Sequence, residues 1–118
     1  EIIYIERVKR TTFIFADRES VTTSDSLDTL QKTLDAAIFV RSHSSFIVNL
    51  QRIRYFHRTE LKMDNGSSVP VSRGCYAKLR DQFAQYIGQS SSFLWKGQIR
   101  SFSHEPVTQE RPQLEMKP

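Results

Sequence analysis

A mainly β domain with short helices is the fold that the sequence predicts, and three features predict it. Apolar and polar residues alternate over several short segments, which is the two-residue period of half-buried strands. Asp64-Asn65-Gly66 is a tight-turn signal, because Asn and Gly accept the positive φ that hairpin turns require. Helical spacing of apolar residues is confined to two stretches, one beginning at Leu27 and one at Tyr76.

The elements follow in order. Ile3 and Ile5 alternate with Tyr4 and Glu6 in a first strand, and residues 12–16 repeat the pattern around Phe13 and Phe15. Between them Arg7-Val8-Lys9-Arg10-Thr11 is read as a short exposed connection with three cations and no acid. A third strand is expected over residues 19–23. Ser24-Asp25-Ser26 then offers N-cap side chains to a helix whose Leu27, Leu30, Leu34 and Ala37 form one apolar stripe. Strands resume over residues 38–41, with Ser42-His43-Ser44-Ser45 expected as a loop before Phe46-Ile47-Val48. Residues 52–58 alternate again and pair back through residues 60–63, and Val69-Pro70-Val71 supplies a strand that Pro70 assigns to a sheet edge. A last helix starts near Ser72, carries Tyr76, Leu79, Phe83, Tyr86 and Ile87 on one face, and is expected to stop at Gly88.

The chain has 118 residues, one domain's worth, and at that size folding buries roughly two-thirds of the unfolded surface. With 38% hydrophobic and 25% charged residues it is neither collagen-like nor wholly disordered. Its longest apolar run, Ala36-Ala37-Ile38-Phe39-Val40, is too short to span a bilayer, so no membrane partner is expected. The single cysteine, Cys75, makes no internal disulfide, and a cytoplasmic location is the expectation. Residues 89–118 hold three of the four prolines and read as a linker or tail beyond a domain of residues 1–88. Phe93, Leu94, Trp95, Ile99 and Phe102 give that tail an apolar segment able to dock on the domain or on a partner.

Catalysis finds little support. His43 and Ser44 are adjacent, and neighbours on an extended chain point to opposite sides, so the imidazole is badly placed to take a proton from the hydroxyl. The histidines at 43, 57 and 104 lack metal-ligand spacing, and the four glycines are isolated, so neither a metal nor a nucleotide cofactor is expected. Charge is more informative. Residues 1–40 carry five basic and seven acidic side chains, net −2, whereas residues 41–93 carry eight basic and three acidic, net +5. A concentrated positive region favours polyanions. The polar and cationic candidates fall in three expected connections: Lys9, Arg10 and Thr12; Ser42, His43, Ser44 and Ser45; and Ser72 with Arg73. Three loops at one edge of a β domain can grip phosphates while one or two side chains reach base edges. Arg73 is the sharpest of them, since an arginine donates two parallel hydrogen bonds to guanine and a helix start aims it.

The string Phe39-Val40-Arg41-Ser42-His43-Ser44-Ser45-Phe46-Ile47-Val48-Asn49-Leu50, followed by Ile53, an Asn-Gly hairpin and Val69-Pro70-Val71-Ser72-Arg73, resembles the LytTR-type DNA-binding domain of bacterial response regulators. Ile2-Ile3-Tyr4-Ile5-Glu6 resembles that family's early strand, and the match covers about residues 1–88. The resemblance implies an elongated stack of three small antiparallel sheets with short helices. It implies sequence-specific binding of double-stranded promoter DNA through loops, at direct repeats occupied by two copies. It also implies a first strand before residue 1 and an upstream receiver domain of a two-component system, neither of which is in this sequence. Three loop sites carry over: residues 9–12, the position after His43, and Arg73. Ser44 departs from the Arg or Asn common in the family and makes fewer contacts, which passes base reading to neighbours such as Ser45. Asn49 matches a position read as turn geometry first and phosphate contact second. The competing reading is a protein-interaction module using exposed β edges and the apolar tail; a single-strand binder displaying Tyr55 and Phe56 is a further one.

Overall fold

The computed structural model describes the backbone of residues 1–90 and the side chains of residues 1–88. Alternation at the front of the chain gives β1 (Ile2–Val8), in which Ile3 and Ile5 are both 1% exposed. A two-residue turn returns it as β2 (Thr11–Ala16), and β3 (Ser20–Thr23) pairs with β2. Further along, β4 (Phe39–His43) and β5 (Phe46–Asn49) form a hairpin that pairs with the other side of β1. The result is a five-stranded antiparallel sheet in the order β3-β2-β1-β5-β4. Cross-strand partners share a face, so Ile5 lines up with Ile14 and Ile47. Leu27 closes over them to make a core cluster, with Leu30, Leu34 and Phe39 around it. On the opposite face Tyr4 stacks on Phe15 at 4.6 Å, and Phe13 and Phe46 extend this half-buried aromatic row.

The helix that carries Leu27, α1 (Leu27–Gln31), begins where expected, with Ser26 Oγ accepting from the Thr29 N–H at 3.1 Å. It ends well before Ala37, which is exposed. Thr33 Oγ1 donates to Leu30 O at 2.9 Å, and Asp35 Oδ1 accepts from the Ala37 N–H at 3.0 Å. These short polar side chains offer the backbone local bonds that compete with another helical turn.

A three-stranded antiparallel sheet follows, β6 (Ile53–Phe56), β7 (Glu60–Met63) and β8 (Ser68–Pro70), entered through a 3-10 turn at Leu50–Arg52. Gly66 sits at φ +94° in the β7–β8 turn, and Pro70 lies on an edge strand as its missing N–H requires. Phe56 is buried and stacks on Phe83 of α2 (Arg73–Ser90) at 5.2 Å, so it is core and not a displayed stacking platform. The described residues thus form two sheets where the resemblance implied three. The last helix also runs through Gly88 to Ser90, because an isolated glycine weakens a helix without ending it.

Arg52 links the two sheets: it bonds Asp17, just past β2, at 2.6 Å and Asp64, in the β7–β8 turn, at 2.5 Å. Hydrogen bonding to Arg52 holds the Asp17 carboxyl well below its ordinary value, at about 2. A depressed carboxylate contributes stability that is complete above its unfolded value of 3.8 and lost as pH falls through about 2. Urea midpoints at pH 5, 4, 3 and 2 should therefore fall below pH 4, and Asp17→Asn should flatten that part of the profile. An equally steep fall in the variant would assign the acid sensitivity elsewhere.

Candidate nucleic-acid interface

Antiparallel pairing decides which turns meet. β1 runs out beside the start of β5, with Glu6 opposite Phe46, so the β1–β2 turn and the β4–β5 turn lie at the same end of the sheet. The Arg7 N–H donates to Ser45 O at 2.9 Å and ties them together. Ser42 O accepts from the Ser72 N–H at 2.8 Å, which brings the start of α2 to that end as well. The three stretches singled out in the sequence therefore converge.

Lys9 and Arg10 are the whole β1–β2 turn, and both are exposed. Lys9 stands at φ 56°, the left-handed region that two-residue hairpin turns use and that lysine adopts only under constraint. In the β4–β5 hairpin only Ser44 and Ser45 leave the strands; Ser42 and His43 belong to β4, where a loop was expected. His43 Nδ1 accepts from the Ser45 N–H at 3.1 Å and its ring meets Phe46 edge-on, so the imidazole shapes the turn. Ser44 is exposed at the tip. Ser72 caps α2, its Oγ accepting from the Cys75 N–H at 3.3 Å, and Arg73 projects from the first helical position into solvent.

Three predicted contact residues are interior. Thr12, Ser42 and Asn49 are each fully buried, within strands and not in connections. Thr12 Oγ1 donates to Asp25 O at 2.6 Å. Asn49 Nδ2 donates to Ile2 O at 2.7 Å, and its Oδ1 accepts from the Gln51 N–H at 2.8 Å. The side chains of Thr12 and Asn49 serve the fold. Small polar residues in a strand look like loop residues in sequence, and only the pairing reveals that they face inward.

The cations divide in the same way. Arg52 is committed to Asp17 and Asp64, and Arg41 to Asp28 at 2.6 Å and Ser44 O at 3.2 Å. Among the described residues Lys9, Arg10 and Arg73 form no ion pair, which leaves three exposed positive charges along the converged edge. Arg41 and Arg7, which brace the turns from inside, were not singled out from the sequence; position opposite a turn is the one signal that marks them. The apolar tail residues Phe93, Leu94, Trp95, Ile99 and Phe102 lie outside the described residues.

The LytTr DNA-binding domain family matches residues 1–84, which take in all eight strands and most of α2. This chain belongs to that family. It is 34% identical over 96 residues to the sensory transduction protein LytT of Enterococcus faecalis, covering 76% of this chain and 38% of the relative. It is 41% identical over 83 residues to LytT of Bacillus anthracis, covering 66% and 33%. A solved LytTr DNA-binding domain of a response regulator from Bacillus cereus superposes with a TM-score of 0.63 at 35% identity, over 69% of this chain and 79% of that one. The chain spans about a third of the length of the curated relatives.

In this LytTR domain Ser42 keeps a buried hydroxyl with no hydrogen-bond partner among the described residues. An unsatisfied buried polar group costs about 1–3 kcal/mol, so Ser42→Ala should raise stability by about 1 kcal/mol. DNA affinity should stay within about twofold, since no atom of that side chain reaches the surface. A drop in stability on removing the hydroxyl would show that it has a partner in solution.

Proposed function

We propose that residues 1–88 are the output domain of a transcriptional response regulator and read a specific duplex sequence with the converged edge. Lys9 and Arg10 take phosphates, Ser44 and Ser45 approach the groove from the β4–β5 turn with His43 holding its shape, and Arg73 donates to a base edge while Ser72 fixes the helix start. Two copies on direct repeats in promoter DNA, and an upstream receiver domain in the whole protein, belong to the same reading. What supports it is the pair of backbone bonds, Arg7 N–H to Ser45 O and Ser72 N–H to Ser42 O, that hold three otherwise separate stretches together. Membership of a DNA-binding domain family supports it independently.

The test is fluorescence anisotropy of the chain on duplexes selected from a randomised pool, on scrambled duplexes of equal length and on heparin, over a salt series. Selective binding with a steep salt slope is expected, because each neutralised phosphate releases counterions. Heparin-like binding without sequence preference would overturn base reading, and salt-insensitive association would favour a protein-interaction module.

Lys9→Ala and Arg10→Ala should each weaken binding on all sequences alike and reduce the log–log salt slope by about one. Alanine is the right replacement at position 9. It meets the same left-handed backbone cost as lysine, so the turn is unchanged and only the charge is lost. An unchanged slope would remove these residues from the phosphate contacts.

A further inference from the structure

Arg7 looks like a DNA contact by charge and position, yet its Nε and Nη1 are committed within the fold. It sits on β1 one residue before the end, half-buried and opposite Thr12. Its Nε donates to Lys9 O at 3.1 Å, across the strained turn. Its Nη1 donates to Thr12 Oγ1 at 2.7 Å and to Asp25 O at 2.8 Å, with Ser24 O at 3.1 Å. Thr12 Oγ1 accepts from Arg7 and donates its own O–H to Asp25 O, so the hydroxyl and the guanidinium close one ring of bonds. The backbone N–H of the same residue holds Ser45 O of the second turn. Every acceptor is a neutral carbonyl or hydroxyl.

We infer that Arg7 is a positioning residue for sequence reading: its side chain sets the β1–β2 turn and, through its backbone N–H on Ser45 O, the seat of the β4–β5 turn that approaches the groove, without itself neutralising a phosphate. The inference rests on the proposed function, since it concerns how the same edge is held. The physical case lies in the fork. Lys9 at φ 56° needs its carbonyl fixed from outside the turn, and the fork reaches that carbonyl and the segment leading into α1 at once. A lysine has a point charge on a flexible stem and cannot span both.

Arg7→Lys separates the two roles because it keeps the charge and loses the fork. With the pool-selected duplex and a scrambled duplex as probes, and the 118-residue chain as protein, Arg7→Lys should lower the ratio of selected to scrambled affinity by about five- to tenfold, the loss of one or two charged hydrogen bonds. The salt slope should stay as in the wild type. Thr12→Val removes the other half of the ring and should produce a similar loss, and the double variant should lose less than the product of the two. Amide exchange at residue 7, whose N–H is held by Ser45 O, should quicken in both single variants. Thermal melts of each variant establish that it is folded at the assay temperature, and Thr12→Val carries the test should Arg7→Lys melt too low. If Arg7→Lys binds with wild-type selectivity while Arg7→Gln lowers the slope by about one, Arg7 is a phosphate contact and the inference fails with DNA reading intact. If the wild-type chain itself shows no selectivity, the proposed function fails and takes this inference with it.

Discussion

Arg73→Ala is expected to cost about 1–3 kcal/mol of affinity for the selected duplex, a loss of about 5- to 150-fold, and to relax preference at one base pair. The geometry that motivates this is simple. Arg73 is the first residue of an 18-residue helix whose start is capped by Ser72 and anchored to β4, so the side chain leaves a rigid base. A Cβ built on Gly74 would meet nothing within 4 Å, which leaves the front of the helix open to an approaching surface. The position is also a poor one for a cation on structural grounds, because the helix N-terminus carries partial positive charge. Removing the guanidinium should therefore leave thermal stability unchanged or slightly higher while binding falls. Arg73→Lys sharpens the point, since it keeps the charge and loses the paired donors; it should keep most of the salt slope and lose the base preference. Equal losses on selected and scrambled duplexes in Arg73→Ala would assign the residue to the backbone and not to a base.

The contrasting placement of Arg73 and Arg7 shows what a sequence can and cannot disclose. Both are arginines near turns in a basic stretch, and composition treats them alike. Only strand pairing reveals that Arg7 faces the segment before α1 while Arg73 stands in solvent. Strands with clean alternation and a strong terminator were legible to the residue: β7 ends at Met63 because Asn65-Gly66 closes the turn behind it. Helix lengths were less so. Leu34 keeps helical spacing with Leu27 and Leu30 and packs on the same core cluster, but it does so from a bend past the end of α1, since burial demands a position and not a dihedral angle. The Ser42-His43 pair reads as loop in sequence, yet lies in β4, for a related reason. Polarity there is local, and the strand is fixed by Val40 opposite Val48 and Arg41 opposite Ile47, partners that sequence spacing does not name. Of the residues in the candidate site, the three stretches meet at one edge, while Thr12, Ser42 and Asn49 lie in the interior.

Asn49→Ala is expected to be the most damaging of these substitutions to stability, at about 3 kcal/mol, with little direct effect on DNA affinity. Both ends of the buried amide are used. Nδ2 supplies the proton for Ile2 O at the start of β1, and Oδ1 takes the N–H of Gln51 in the 3-10 turn that leads to the second sheet. Alanine removes a donor and an acceptor together and leaves a carbonyl and an N–H without their partners, on top of the cavity. A role as phosphate contact predicts the reverse: unchanged stability and a salt slope smaller by about one. Urea denaturation and salt-dependent anisotropy on the same preparation separate the two. Asn49→Asp gives a second reading of the same site. The carboxylate still accepts from Gln51 but turns an acceptor toward Ile2 O and buries a charge, so at pH 8 it should be destabilised more than Asn49→Ala. Burial favours the neutral acid, whose proton can replace the lost amide donor, so relative to wild type this variant should recover stability as pH falls from 8 to 5. A pH-independent difference from wild type would mean that the side chain at position 49 is solvated and that the bond to Ile2 O does not hold the two strands together.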